Sequence, residues 1–154
     1  MKTTILTALI LIISYSNATS QVTEKLYDPE ANANQQIEEA LIKATEEGKN
    51  VFIQFGGNWC GWCYNFHNFC KNDKEISDLV SKNYVSIKLN YSKENKNEDI
   101  LARYANPQRL GFPVFIILDS KGTHLHTQDS AKLEKGTSYS KEKVVNFFQK
   151  WSPK

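Results

Sequence analysis

Cysteine is scarce in this chain, with three in 154 residues. Three thiols are too few for a framework of structural disulfides, and a Cys₄ zinc site needs a second pair that is missing. Charge is missing from the first part: Lys2 is the only charged residue before Glu24. The formal balance of +2 leaves the remainder near neutral, so nothing points to a nucleic-acid partner. No internal repeat or low-complexity segment is present. A composition of 40% hydrophobic and 23% charged residues argues against disorder, and the length suits one domain with a real core.

The first twenty residues have their own pattern. Met1-Lys2 is followed by an apolar run, Ile5 to Ile13, too short and wrongly flanked for a spanning helix. Ala18-Thr19-Ser20 offers small residues for cleavage before Gln21, with cleavage after Ala18 as the other option. Residues 1–20 therefore read as a signal peptide and 21–154 as the mature domain, exported to a periplasmic or other extracytoplasmic space. A retained N-terminal anchor is the alternative. The stretch has no cysteine, which excludes a lipoprotein anchor.

The chemistry concentrates in Phe55-Gly56-Gly57-Asn58-Trp59-Cys60-Gly61-Trp62-Cys63. Val51 to Phe55 reads as a buried strand, and Tyr64 to Lys71 contains no Gly or Pro and continues as a helix. Two cysteines thus fall where a strand turns into a helix, whose unpaired N–H groups and positive dipole end favour a thiolate. Cys60 is expected to be the exposed, lower-pKa thiol and Cys63 its more buried partner. A disulfide between them closes so small a loop that it is better suited to being made and broken than to cross-linking. A mixed metal site of Cys60, Cys63, His67 and Cys70 has suitable ligand types, but one helix cannot easily place them around a tetrahedral ion. No metal is expected. Cys70 reads as a buried, inert residue, about 10 Å from Cys63 at ~1.5 Å per residue. His67 reads as a surface or packing residue.

In chain order, Val22 to Tyr27 is a connecting segment, and Asp28-Pro29 starts a helix with Ile37, Ala40, Leu41 and Ala44 as its apolar stripe, ending at Gly48. Asp73 caps a helix with Ile76, Leu79 and Val80 inward. Tyr84 to Asn90 alternates as a strand, and Ser92 to Asn97 is a polar loop. A short helix runs from Glu98 to about Tyr104. Val114 to Leu118 is a strongly apolar strand, Asp119 to Gly122 a hairpin turn and Thr123 to Gln128 an edge strand. Asp129 to Thr137 reads as a loop. Ser140 caps a last helix with Val144, Val145, Phe148 and Trp151 inward. The order is α-β-α-α-β-α-β-β-α, with helices able to cover both sheet faces.

Trp59-Cys60-Gly61-Trp62-Cys63 after a strand, with Gly111-Phe112-Pro113 before another, resembles the thioredoxin superfamily over about residues 31 to 151. The likeness is nearer to secreted bacterial thioredoxin-like proteins with a helix before the first strand. It implies an α/β fold with a central mixed sheet of about four strands and helices on both faces. It also implies a cis bond before Pro113, a Phe112 backbone edge that pairs with substrate polypeptide, and Trp59, Gly61 and Trp62 as further substrate contacts. Trp59 as plain core filler is the competing reading. Thioredoxin has Gly-Pro where Gly61-Trp62 stands and a buried Asp at the position of Gln54, a neutral amide that cannot take a proton. No His lies between the cysteines, so a strong oxidase is not indicated.

The resemblance implies thiol–disulfide exchange without a cofactor, reducing or isomerising protein disulfides. Its partners would be disulfide-bearing proteins and a membrane or periplasmic dithiol reductase, and the chain is expected to be a monomer. A peptide-binding chaperone or a metallochaperone-like module is the alternative.

Overall fold

A computed structural model of the chain describes residues 25–154. The expected leader and its cleavage point lie outside the described residues. The elements are α1 (Ala33–Glu47), β1 (Asn50–Gly56), α2 (Gly61–Asn72), α3 (Lys74–Asn83), β2 (Tyr84–Asn90), α4 (Glu98–Arg103), β3 (Val114–Leu118), β4 (His124–Asp129), β5 (Glu134–Lys135), β6 (Ser138–Tyr139) and α5 (Lys141–Lys150). Short 3-10 turns cover Pro107–Leu110 and Ser130–Leu133.

The main sheet has the order β2-β1-β3-β4, so β1 is central and β4 is an edge. β1 and β2 run parallel, joined by the α2–α3 crossover, while β1/β3 and β3/β4 are antiparallel. Side chains alternate across the sheet. Val51, Ile53 and Phe55 of β1 pack toward α1 and α4 with Ala40, Ala44, Ile100 and Leu101. Phe52 points the other way, into an aromatic layer with Phe66, Tyr84, Phe115, Phe147 and Phe148 beneath α2, α3 and α5. This is the mixed four-stranded thioredoxin-like architecture, with α1 ahead of the first strand.

Two expectations need correction and a third an addition. Asp28-Pro29 does not open α1. Asp28 accepts a hydrogen bond from the Glu30 N–H in a turn, and Asn32 is the cap, accepting from the Gln35 N–H at 3.1 Å. Both residues satisfy the same capping chemistry, but the apolar register begins at Ala33. Asp129 to Thr137 is not a plain loop: its Asp-capped 3-10 turn leads into the small β5–β6 hairpin. In α5, Phe147 is buried beside the expected Val144, Val145 and Phe148, while Trp151, just past the helix end, packs half-buried against the same layer as expected. Among the described residues no helix is long and apolar enough to cross a membrane.

Candidate active site

The central strand ends at Gly56, and Gly57-Asn58-Trp59 turn the chain into α2 with Cys60 as the N-cap. The Cys60 Sγ accepts the backbone N–H of Cys63 at 3.2 Å. The same N–H is shared with the Cys60 carbonyl at 3.1 Å, and the sulfur sits at the positive end of the helix dipole. Cys60 and Cys63 are joined in a disulfide with a Cα–Cα separation of 5.3 Å.

Cys60 was expected to be exposed, yet it is only 5% accessible, against 0% for Cys63. Leu26 and Phe112, from distant segments, and the intervening Trp62 pack around the pair and Tyr27. The order of burial is as read from the sequence, but the degree is not. Trp59 is 59% exposed and so is no core filler. Its indole N–H donates to the Tyr91 carbonyl at 2.7 Å, and its ring stands edge-on to Phe112 at 5.5 Å. Phe112 also leans on Tyr91, with centroids 4.7 Å apart. The Phe112–Pro113 bond is cis, and Pro113 is buried. Gly61 is exposed, with open space where a side chain would go. Trp62 packs against both the pair and the aromatic layer, edge-on to Tyr139 at 5.5 Å, and its carbonyl accepts the Tyr139 hydroxyl.

Behind the pair, Gln54 is 1% exposed. Its amide donates to the Tyr27 hydroxyl at 2.7 Å and to the Cys63 carbonyl at 3.1 Å. Tyr27 is 1% exposed, and burial pushes its phenol above the ordinary tyrosine range, so it stays protonated. Asn58 grips the backbone of Tyr27 from both sides, accepting its N–H at 3.0 Å and donating to its carbonyl at 2.7 Å. The Tyr64 hydroxyl donates to Asn58 and accepts the Leu26 N–H. Sequence reasoning missed Tyr27, Asn58 and Tyr91 as site residues. Tyr27 lies in a segment with no periodicity, and the only available hint was the Asn in the Gly-Gly-Asn-Trp turn.

Cys70 is not fully buried: it is half-buried at the margin of the aromatic layer. Burial still pushes its thiol up to about 12. Among the described residues no group of three or more His, Cys, Asp or Glu side chains is placed to hold a metal ion.

A family model described as thioredoxin-like matches residues 32–120. The thiol:disulfide interchange protein DsbD of Colwellia psychrerythraea is 24% identical over 106 residues, 68% of this chain and 17% of that protein. Human spermatogenesis-associated protein 20 is 35% identical over 52 residues, 34% of this chain and 7% of that protein. The chain therefore spans a small part of the length of these curated relatives. Among solved structures, a disulphide isomerase from Xylella fastidiosa aligns with a TM-score of 0.69 and 24% identity, covering 80% of this chain and 94% of that one. The C-terminal domain of Neisseria meningitidis DsbD in its oxidised form aligns with a TM-score of 0.55 and 15% identity, covering 79% and 97%.

Proposed function

The chain belongs to the thioredoxin-like family, and from that premise we propose that it is an extracytoplasmic thiol–disulfide oxidoreductase that reduces or isomerises protein disulfides. One observation carries the reading: the Cys60–Cys63 bridge, with Cys60 capping α2 and its sulfur accepting the Cys63 N–H. In the reduced protein the Cys60 thiolate attacks one sulfur of a substrate disulfide, and the other substrate sulfur leaves as a thiolate. Cys63, deprotonated, then attacks the Cys60 sulfur, and the second substrate thiolate departs. Two electrons pass to the substrate and the Cys60–Cys63 disulfide forms. An external dithiol, supplied by a membrane or periplasmic reductase, returns the pair to its reduced state.

The exposed Trp59 ring, the half-buried Phe112 and the backbone before Pro113 form the surface on which a substrate polypeptide would lie. The interchange function printed for the Colwellia relative supports this chemistry. The leader pattern in residues 1–20 supports export, with residues 21–154 as the mature domain, and N-terminal sequencing of the native product checks it. The chemical test is trapping. Cys63→Ser should accumulate mixed disulfides with other proteins through Cys60, whereas Cys60→Ser should accumulate none. Trapping through Cys63 instead would reverse the roles, and none in either variant would remove the exchange reading.

A further inference from the structure

We propose that Tyr27 is the hydrogen-bond donor that stabilises the Cys63 thiolate, taking over at this site the charge-handling task that the neutral Gln54 cannot perform. The inference rests on the exchange reading above and assigns one further group to it. Its basis is the geometry at Gly56. The Cys63 sulfur and the Tyr27 hydroxyl each lie less than 3.0 Å from the point where a Cβ at Gly56 would sit. Phenol and sulfur therefore face the same small space, which stays open because residue 56 has no side chain.

The hydrogen bonding at Tyr27 fixes which way its proton can go. Among the described residues the hydroxyl makes one hydrogen bond, and there it is the acceptor, from the Gln54 amide. A phenol has one proton to donate as well as lone pairs to accept with. With Gln54 on the lone-pair side, the proton is left for another acceptor, and Cys63 is the reacting atom at hand. The Tyr27 backbone is fixed, its N–H and carbonyl held by Asn58 and the preceding N–H by Tyr64, and the ring itself is buried at 1% exposure with its hydroxyl tied to Gln54. Burial keeps the phenol protonated, so it acts as a donor and not as a base.

The step balances without a further reactant. When an incoming dithiol attacks the Cys60 sulfur, the Cys60–Cys63 bond breaks and its electron pair stays on Cys63. Opening the bond lets the Cys63 sulfur turn toward the hydroxyl, which donates to the new thiolate; water later supplies the proton. In the other direction Cys60 is held in a mixed disulfide: Cys63 gives its proton to water, its thiolate, held by Tyr27, attacks the Cys60 sulfur, the mixed disulfide breaks, and the substrate sulfur leaves as a thiolate. Tyr27 is oxidised or reduced in neither direction.

The test measures the thiol itself. In a Cys60→Ala, Cys70→Ala background Cys63 is the one cysteine left, and its thiolate absorbance is titrated with and without Tyr27→Phe. A hydrogen bond to a charged group is worth about 1.5–3 kcal/mol, so the Cys63 pKa should rise by roughly one to two units. In protein with both active cysteines, Tyr27→Phe should slow resolution of a Cys60–glutathione mixed disulfide about three- to fourfold at fixed pH below that pKa: a one-unit rise leaves a tenth of the thiolate, and the more basic thiolate regains about threefold in nucleophilicity. The titratable groups that act on the Tyr27 phenol are Tyr64 of α2 and Tyr139 of β6; Asp28, next to Tyr27 in the chain, is exposed, and Lys88 lies opposite Gln54 in the β1–β2 register. All are unchanged in the variant. An unaltered Cys63 pKa in folded Tyr27→Phe protein overturns the proposal. Should that variant not fold, the Cζ resonance of labelled Tyr27 in the parent protein should move with Cys63 ionisation, and a resonance that stays fixed overturns it equally. Because the titration needs no turnover, a chain that exchanges no disulfides still answers, and that failure would count against the exchange reading alone.

Discussion

Cys70 lies two turns along α2 from Cys63, and burial there pushes its thiol from the ordinary 9.0 up to about 12. Between those values the unfolded chain has lost the proton that the folded chain retains. The folded state then binds more protons, so stability is full below 9.0 and falls as pH rises toward about 12. Tyr84, pushed up to about 12 by its own burial, acts in the same direction. Cys70→Ala should therefore lose less stability over this alkaline window than the parent, with the Cys60–Cys63 bond intact in both. Denaturant midpoints measured on either side of 9.0 check it. At this scale the sequence was legible where identity alone carries chemistry. The cysteines, their spacing and the helix start point to exchange whatever surrounds them. The burial of Cys60 was not legible, because Leu26 and Phe112 come from segments 34 residues before it and 52 after it.

Elements were legible where one residue type does one job. Gly48 ends α1 in the left-handed conformation at φ 64, and Ser140 caps α5. Asp119 closes the β3–β4 turn by accepting from the Lys121 and Thr123 N–H groups. The start of α1 misled because Asp28-Pro29 and Asn32 carry competing cap signals within five residues. The β5–β6 hairpin escaped because two-residue strands are too short to show a period. Asp73 does two jobs: it caps α3 through the Glu75 and Ile76 N–H groups, and it pairs with Lys141 of α5 at 2.9 Å. The Lys141 hydrogen bond, with those N–H groups, holds its carboxyl below the ordinary 3.8. Stability from this group is present above 3.8 and is lost as pH falls through the depressed folded value. Asp73→Asn keeps a capping oxygen but cannot ionise. Its stability should fall less steeply on acidification than the parent's, as urea midpoints at neutral pH and below 3.8 would record.

Across the whole molecule, stability depends heavily on the aromatic layer beneath the cysteine helix. Phe66 brings α2 against Phe115 at 4.3 Å and Tyr139 at 4.9 Å between ring centroids. Truncating such a ring costs about 3–5 kcal/mol, a large share of the roughly 5–15 kcal/mol that holds a domain together. Phe66→Ala should lower the unfolding free energy by that amount, measured by urea titration of the oxidised protein. The number and succession of elements could be read from the chain, since alternation and helical stripes are local. The strand order could not, since nothing local says that β1 lies between β2 and β3. Nor could the grip of Asn58 on Tyr27, which crosses 31 positions. That grip has a consequence for modularity. The shared family pattern begins at residue 32, after Tyr27, and stops at 120, before Phe147 and Phe148. A fragment excised along those limits would carry both cysteines but leave behind the phenol beside Cys63 and part of the aromatic layer. The smallest transplantable unit of this redox site therefore extends beyond its recognisable homology, reaching back to Leu26 and forward through α5.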